Sequence, residues 1–186
     1  MIAGTHLLIC NILYKYLLKK TKFVLDYKAF SYGNIKPDIE KWCIKCEHTY
    51  EASIRAIDSY AKRLTSKKMS QEEFSVGLGV VCHFVSDYFC LHHQKEYWKR
   101  DPMTHGIYEM KLHAEVLKLV LNDRLRVNYS CKEEDAVSKV VVKFQAKYDK
   151  EPDSVMKDIS YSIAASAAVS EMIVRKRLEN MGYLLT

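Results

Sequence analysis

The chain has 186 residues, enough for one domain with a real core. Hydrophobic residues make up 48% of it and charged residues 28%, which excludes a disordered or fibrous protein. The formal charge of +6 suits anionic partners such as phosphate esters, nucleic acid or an acidic lipid surface, and does not choose among them.

Six glycines and three prolines leave few chain-reversal signals, so long helices are expected. The first runs through Ile2–Leu18, where Leu7, Ile9, Ile12, Leu13, Tyr16 and Leu17 keep helical spacing. It is interrupted by His6, Asn11 and Lys15 and falls short of the roughly 20 apolar residues of a membrane span. Lys19 and Lys20 follow the apolar run instead of preceding it, the wrong polarity for a secretory signal, so a cytoplasmic chain is expected. Ser31, Gly33, Asn34 and Pro37 predict a loop over 30–39. A helix follows over Glu40–Leu64, broken near Cys46. Ser70-Gln-Glu-Glu73 predicts a capped start for a helix reaching about His92. Its Gly77 and Gly79 each cost about 1 kcal/mol against alanine. They mark either a weakness in packing or the close approach of another helix, for which the N-terminal one carrying His6 is the candidate. Pro102 opens a helix to about Asn122, Asn128–Cys131 is a loop, and Glu133–Tyr148 and Asp153–Asn180 are the last two helices. With no βαβ alternation, repeat or low-complexity tract, the class is all-α: one domain over 1–186, a compact multi-helix bundle with one long metal-bearing loop.

Six cysteines (Cys10, Cys43, Cys46, Cys82, Cys90 and Cys131) do not need to be disulfides in a chain this large, and Cys43-x-x-Cys46 has no second CxxC to complete a zinc knot. They are read as buried or idle thiols.

The seven histidines carry more information. His83 and Asp87 stand four apart on one helix face, as do His105 and Glu109 on the next, and His93 lies between the pairs. Imidazole and carboxylate both suit zinc, and successive rigid helices hold such groups in register. Competing metal motifs are missing: the sequence has no HExxH, no Glu-x-x-His, no His-Asp dipeptide, no Gly-x-Ser-x-Gly and no P-loop.

His83-x-x-x-Asp87-x-x-x-x-x-His93 followed by His105-x-x-x-Glu109 resembles the core signature of the zinc-dependent phospholipase C family, whose superfamily includes single-strand-specific zinc nucleases. Met1-Ile-Ala-Gly-Thr-His6 is similar to the family's N-terminal metal-binding segment and Gly33-Asn-Ile-Lys-Pro-Asp38 to its aspartate loop, while His48 falls where a further ligand is expected. The resemblance covers residues 1 to about 115 and implies two to three zinc ions. Asp38, His48, His83 and Asp87 would hold one. His93, His105 and Glu109 would hold a second. The Met1 amine, His6 and a bridging Asp87 would hold a third, and Asp38 would orient or deprotonate the attacking water. Secreted relatives begin, after processing, with a metal-binding tryptophan; here Met1 stands five residues before His6. His92 and His113 have no role in this scheme, although His113 shares the face of His105 and Glu109. The implied activity is hydrolysis of a phosphate ester, first of all a phospholipid or other phosphodiester, with peripheral contact to a membrane surface. Glu109 and the compact length resemble the phospholipase-like branch. The alternatives are a single-strand nuclease or nucleotidase, with nucleic acid as substrate, and a catalytically degenerate metal-binding structural protein.

Overall fold

The computed structural model describes residues 1–40, 47–65, 69–94, 101–122 and 134–183. Among them run seven α-helices and no strand: α1 (Ala3–Thr21), α2 (Tyr27–Ile39), α3 (Tyr50–Leu64), α4 (Gln71–Asp87), α5 (Pro102–Leu121), α6 (Val137–Tyr148) and α7 (Val155–Asn180). A short 3-10 turn, Leu91–His93, lies between α4 and α5. None of the described helices is long and apolar enough to cross a membrane.

Local chemistry explains most of the boundaries. Ser70 accepts from the Glu73 amide while Glu73 caps the Ser70 amide, the reciprocal box expected from the sequence. Asp26 caps α2, Asp101 caps α5 ahead of Pro102, and Ser154 caps α7. Lys22, at φ 58°, closes α1 in the left-handed region.

From Phe74 onward α4 is buried on nearly every side, with α2, α3, α7 and α1 packed around it. Serines of α7 keep that packing close while satisfying backbone: Ser162 donates to the Ser86 carbonyl and Ser166 to that of Cys82. Cys10, Cys82 and Cys90 are buried thiols, as expected. Cys43, Cys46, Cys131 and the expected loop at Asn128–Cys131 lie outside the described residues.

Four expectations are corrected. Residues 30–39 form the body of α2, so Asp38 sits on a helix and not on a long loop. Asn34 turns its amide onto the Phe30 carbonyl, and Pro37 falls in the last turn, where the missing N–H costs one bond. Helix α3 begins at Tyr50, well after Glu40, and α4 stops at Asp87, short of His92. The helix that approaches α4 most closely at Gly79 is α2 and not α1. A β-carbon on Gly79 would stand 2.8 Å from the Gly33 Cα and collide with the Phe30 carbonyl, and one on Gly33 would collide with that of Val76. Gly77 faces Leu64 of α3. This crossing brings the Asn34 carbonyl and Asp38 over the histidine face of α4.

Because backbone cannot retreat at the crossing, Gly79→Ala is expected to lose about 1–3 kcal/mol in denaturant unfolding. Gly106→Ala, at an α5 position with nothing within 4 Å, should instead gain up to about 1 kcal/mol. Similar effects at the two glycines would show that backbone contact does not govern the crossing.

Candidate metal centre

The ends of four helices and two short segments converge on the Asp87 carboxylate, in the last turn of α4. Its Oδ1 lies 2.7 Å from the Met1 amine and 3.3 Å from His6 Nε2. Its Oδ2 lies 3.0 Å from His48 Nδ1, 3.4 Å from His83 Nε2 and 3.7 Å from His93 Nδ1. The side chain is wholly buried.

Around Oδ2 the donors are spaced as a metal would space them. His48 Nδ1 and His83 Nε2 are 3.2 Å apart, and Asp38 Oδ1 stands 3.6 Å from His83 and 3.9 Å from His48. Ligands at zinc–nitrogen distances in a tetrahedron are separated by about 3.3 Å. A second set forms beside it: the Met1 amine, His93 Nε2 and Glu109 Oε1 make a triangle of 3.0, 3.1 and 3.1 Å, and His105 Nε2 reaches the same Glu109 oxygen at 2.9 Å. The third expected set, Met1 with His6 and Asp87 Oδ1, shares its amine with this triangle.

Hydrogen bonds behind the site decide which histidine nitrogens face inward. His83 Nδ1 donates to the Asn34 carbonyl at 2.8 Å, leaving Nε2 as a lone pair. Ser86 spends its hydroxyl proton on the His83 carbonyl, so it accepts from His6 Nδ1, and in the neutral ring His6 Nε2 is likewise a lone pair. That buried nitrogen has no hydrogen-bond partner, yet it faces a carboxylate oxygen 3.3 Å away. A lone pair aimed at an anion with no proton between them is repulsive unless a cation stands there. The donor set therefore fits a divalent ion of the kind imidazole and carboxylate prefer.

The titration behaviour agrees. Burial holds the His83 imidazole well below its ordinary range and lowers that of His93, so both stay neutral and ligand-ready. Burial would raise Asp87, but His93, the Met1 amine, His6 and His83 outweigh it and keep it well below the usual carboxylate range. Glu109 is also held low, the hydrogen bond from His93 and the Met1 charge overcoming burial. Burial raises Asp38. For the Met1 amine, burial opposes charge, but Asp87, Cys90 and Glu109 prevail and its pKa rises from 8.0 to about 11.

Neighbours assigned no ligand role from the sequence complete the centre. The Cys90 thiol groups with His93 and Glu109. His113 Nδ1 pairs with Thr5 Oγ1 at 3.1 Å, and a β-carbon on Gly4 would touch its ring, so it seats the start of α1. His92, buried, packs its ring 4.8 Å from that of Tyr108 and 5.2 Å from that of His105. A carbonyl ligand-holder such as Asn34 leaves no mark in a side-chain pattern; the shared face of His113, His105 and Glu109 is the one signal that was legible.

The all-α bundle gathers at its helix ends histidine and carboxylate groups able to hold a metal ion. The family model described as zinc dependent phospholipase C matches residues 5–162, and the chain belongs to that family. The match spans every expected ligand except Met1. Comparison with the curated proteins finds no match, and neither does comparison with the solved structures.

The metal-free protein should be most stable between about pH 6.5 and 8. His83 and His93 have depressed pKa values, so their contribution is present above the unfolded value of 6.5 and falls away as pH drops; Asp87 and Glu109 add to the loss below about 4. The raised amine contributes fully below 8.0, and that contribution is lost as pH climbs toward 11. Denaturant unfolding of chelated protein at pH 5, 7 and 10 checks this. A few residues added before Met1 should flatten the alkaline side; an unchanged alkaline slope would exclude the amine.

Proposed function

We propose that this chain is a zinc-dependent phosphodiesterase of the phospholipase C kind, a single domain over 1–186. It would hold one zinc with Asp38, His48, His83 and Asp87, a second with His93, His105 and Glu109, and a third ion with Met1, His6 and Asp87. The observation that carries this reading is the fully buried Asp87 carboxylate, with imidazoles and an amine drawn up to both oxygens.

When bound, zinc supplies charge that stabilises the phosphoryl oxygens and lowers the pKa of a water toward about 7. The chain's own residues do the rest. Asp38 is the most exposed of the three carboxylates, at 29% against 12% for Glu109 and 0% for Asp87, so it is the one that can reach an incoming water. Burial makes it more basic than an ordinary aspartate, which suits a group that orients the water and accepts its proton. The hydrogen bonds to Asn34 and Ser86 keep His83 and His6 from rotating away.

A cavity of about 600 Å³ adjoins His93 and gives room for the substrate beyond its phosphate. It is lined by Tyr50, Tyr88 and Tyr148 and by Glu51, Asp149, Glu151 and Asp153, while its lysine, Lys157, is paired with Asp153. Acidic and aromatic walls favour a lipid headgroup bearing an ammonium over a polyanionic strand. A larger cavity of about 720 Å³, basic through Lys20, Lys22, Arg175 and Arg177, lies at the far ends of α1 and α7 and shares no residue with the metal centre.

Zinc-loaded protein should hydrolyse a phosphocholine lipid in preference to single-stranded DNA or a phosphomonoester, losing activity to a chelator and regaining it with zinc. Turnover of none of these substrates would sink the enzyme reading, and preference for DNA would move it to the nuclease branch.

Asp87→Asn should lose more than one zinc ion and all measurable turnover. Asp38→Asn should keep most of its zinc but slow about 10²–10⁴-fold, the usual worth of a positioned base. Elemental analysis beside the rate separates the two; an Asp38→Asn protein at full speed would remove Asp38 from the chemistry.

A further inference from the structure

Asp158, in the first turn of α7, is wholly buried and belongs to no metal-ligand set. Its Oδ2 accepts from the Leu91 amide at 2.7 Å and from the Tyr108 hydroxyl at 2.8 Å; its Oδ1 accepts from the Tyr148 hydroxyl at 2.6 Å. Leu91 opens the 3-10 turn that ends on His93, and Tyr108 is the chain neighbour of Glu109. One oxygen therefore holds both the segment carrying His93 and the helix carrying Glu109 and His105. Those three residues come from two elements that α4 does not position, since α4 ends at Asp87.

We infer that Asp158 is a positioning residue for the second metal set, setting the separation of His93 from Glu109 and His105 through Leu91 and Tyr108. The inference rests on the zinc reading above. Buried hydrogen-bonded carboxylates also stabilise folds in a general way, and Tyr148, anchored to the other oxygen on α6, isolates that contribution. Loss of Tyr148's hydroxyl weakens the α6–α7 packing without freeing either metal-bearing element. Loss of Tyr108's hydroxyl frees α5 from the His93 turn.

The test compares Asp158→Ala, Asp158→Asn, Tyr108→Phe and Tyr148→Phe with the unsubstituted chain. Zinc titrations are followed through the imidazole NMR signals of His93 and His105 against those of His48 and His83. Asp158→Ala should bind zinc about 10–100-fold more weakly at His93 and His105, the usual cost of removing a group that orients a ligand, with His48 and His83 unchanged. Asp158→Asn, whose amide oxygen can still serve Leu91 and Tyr108, should recover most of that affinity. Tyr108→Phe should share the loss, and Tyr148→Phe should lower thermal stability with normal zinc affinity. Wild-type affinity in Asp158→Ala, or equal affinities in the two phenylalanine variants, would overturn the inference; the second comparison decides it if Asp158→Ala does not fold. Exchange of the Leu91 amide in chelated Asp158→Ala protein is read as well. It should be faster than in the unsubstituted chain, and unchanged rates would overturn the positioning role. Absence of zinc at His93 and His105 in the unsubstituted chain would instead overturn the zinc reading, with the exchange rates still deciding the role of Asp158.

Discussion

A carboxylate with no access to water has to be compensated from within its site, and nitrogens approach Asp87 from five directions. Burying an ion costs several kcal/mol unless its partners are well placed. The architecture can be understood as the means of placing them: α4 delivers the carboxylate to the middle of the bundle, and α1, the segment before α3 and the turn after α4 bring nitrogens to it.

The centre also depends on how little the scaffold can yield. The two facing glycines let α2 lie directly on α4, which brings the Asn34 carbonyl within 2.8 Å of His83. On the opposite side, Ser162 reaches the Ser86 carbonyl while the Ser86 hydroxyl faces His6. The inward-facing nitrogens of His83 and His6 are thus backed by backbone or by a side chain locked to backbone, and small residues at the crossings allow the approach.

Much of this was legible in the sequence, for identifiable reasons. The four-residue spacings of His83 with Asp87 and His105 with Glu109 are properties of a single helix face, so they survive without knowledge of the fold. The Ser70–Glu73 box is equally local. Reading residues 30–39 as a loop failed because Ser31, Gly33, Asn34 and Pro37 were weighed as chain breakers, whereas tertiary contact with α4 rewards the glycine and a late-turn proline costs little. The order of ligands along the chain suggested separate sets, but the sharing of the Met1 amine between Asp87 and Glu109 is a three-dimensional fact. Asp158 was invisible for the same reason: an aspartate near a helix start looks like an ordinary charge complement to the helix dipole until its three donors are seen.

The raised pKa of the Met1 amine carries one more consequence. In the metal-free protein the carboxylates of Asp38, Asp87 and Glu109 surround a single ammonium, a poor host for any phosphate. Under the proposed loading, divalent ions replace that ammonium proton and reverse the sign of the local field. Attraction of an anionic substrate is then conferred by the cargo of the site and not by basic side chains around it. Under this scheme the protein would carry its own interlock: a chain that has not yet acquired its ions repels the molecules it would otherwise hold without being able to cleave them.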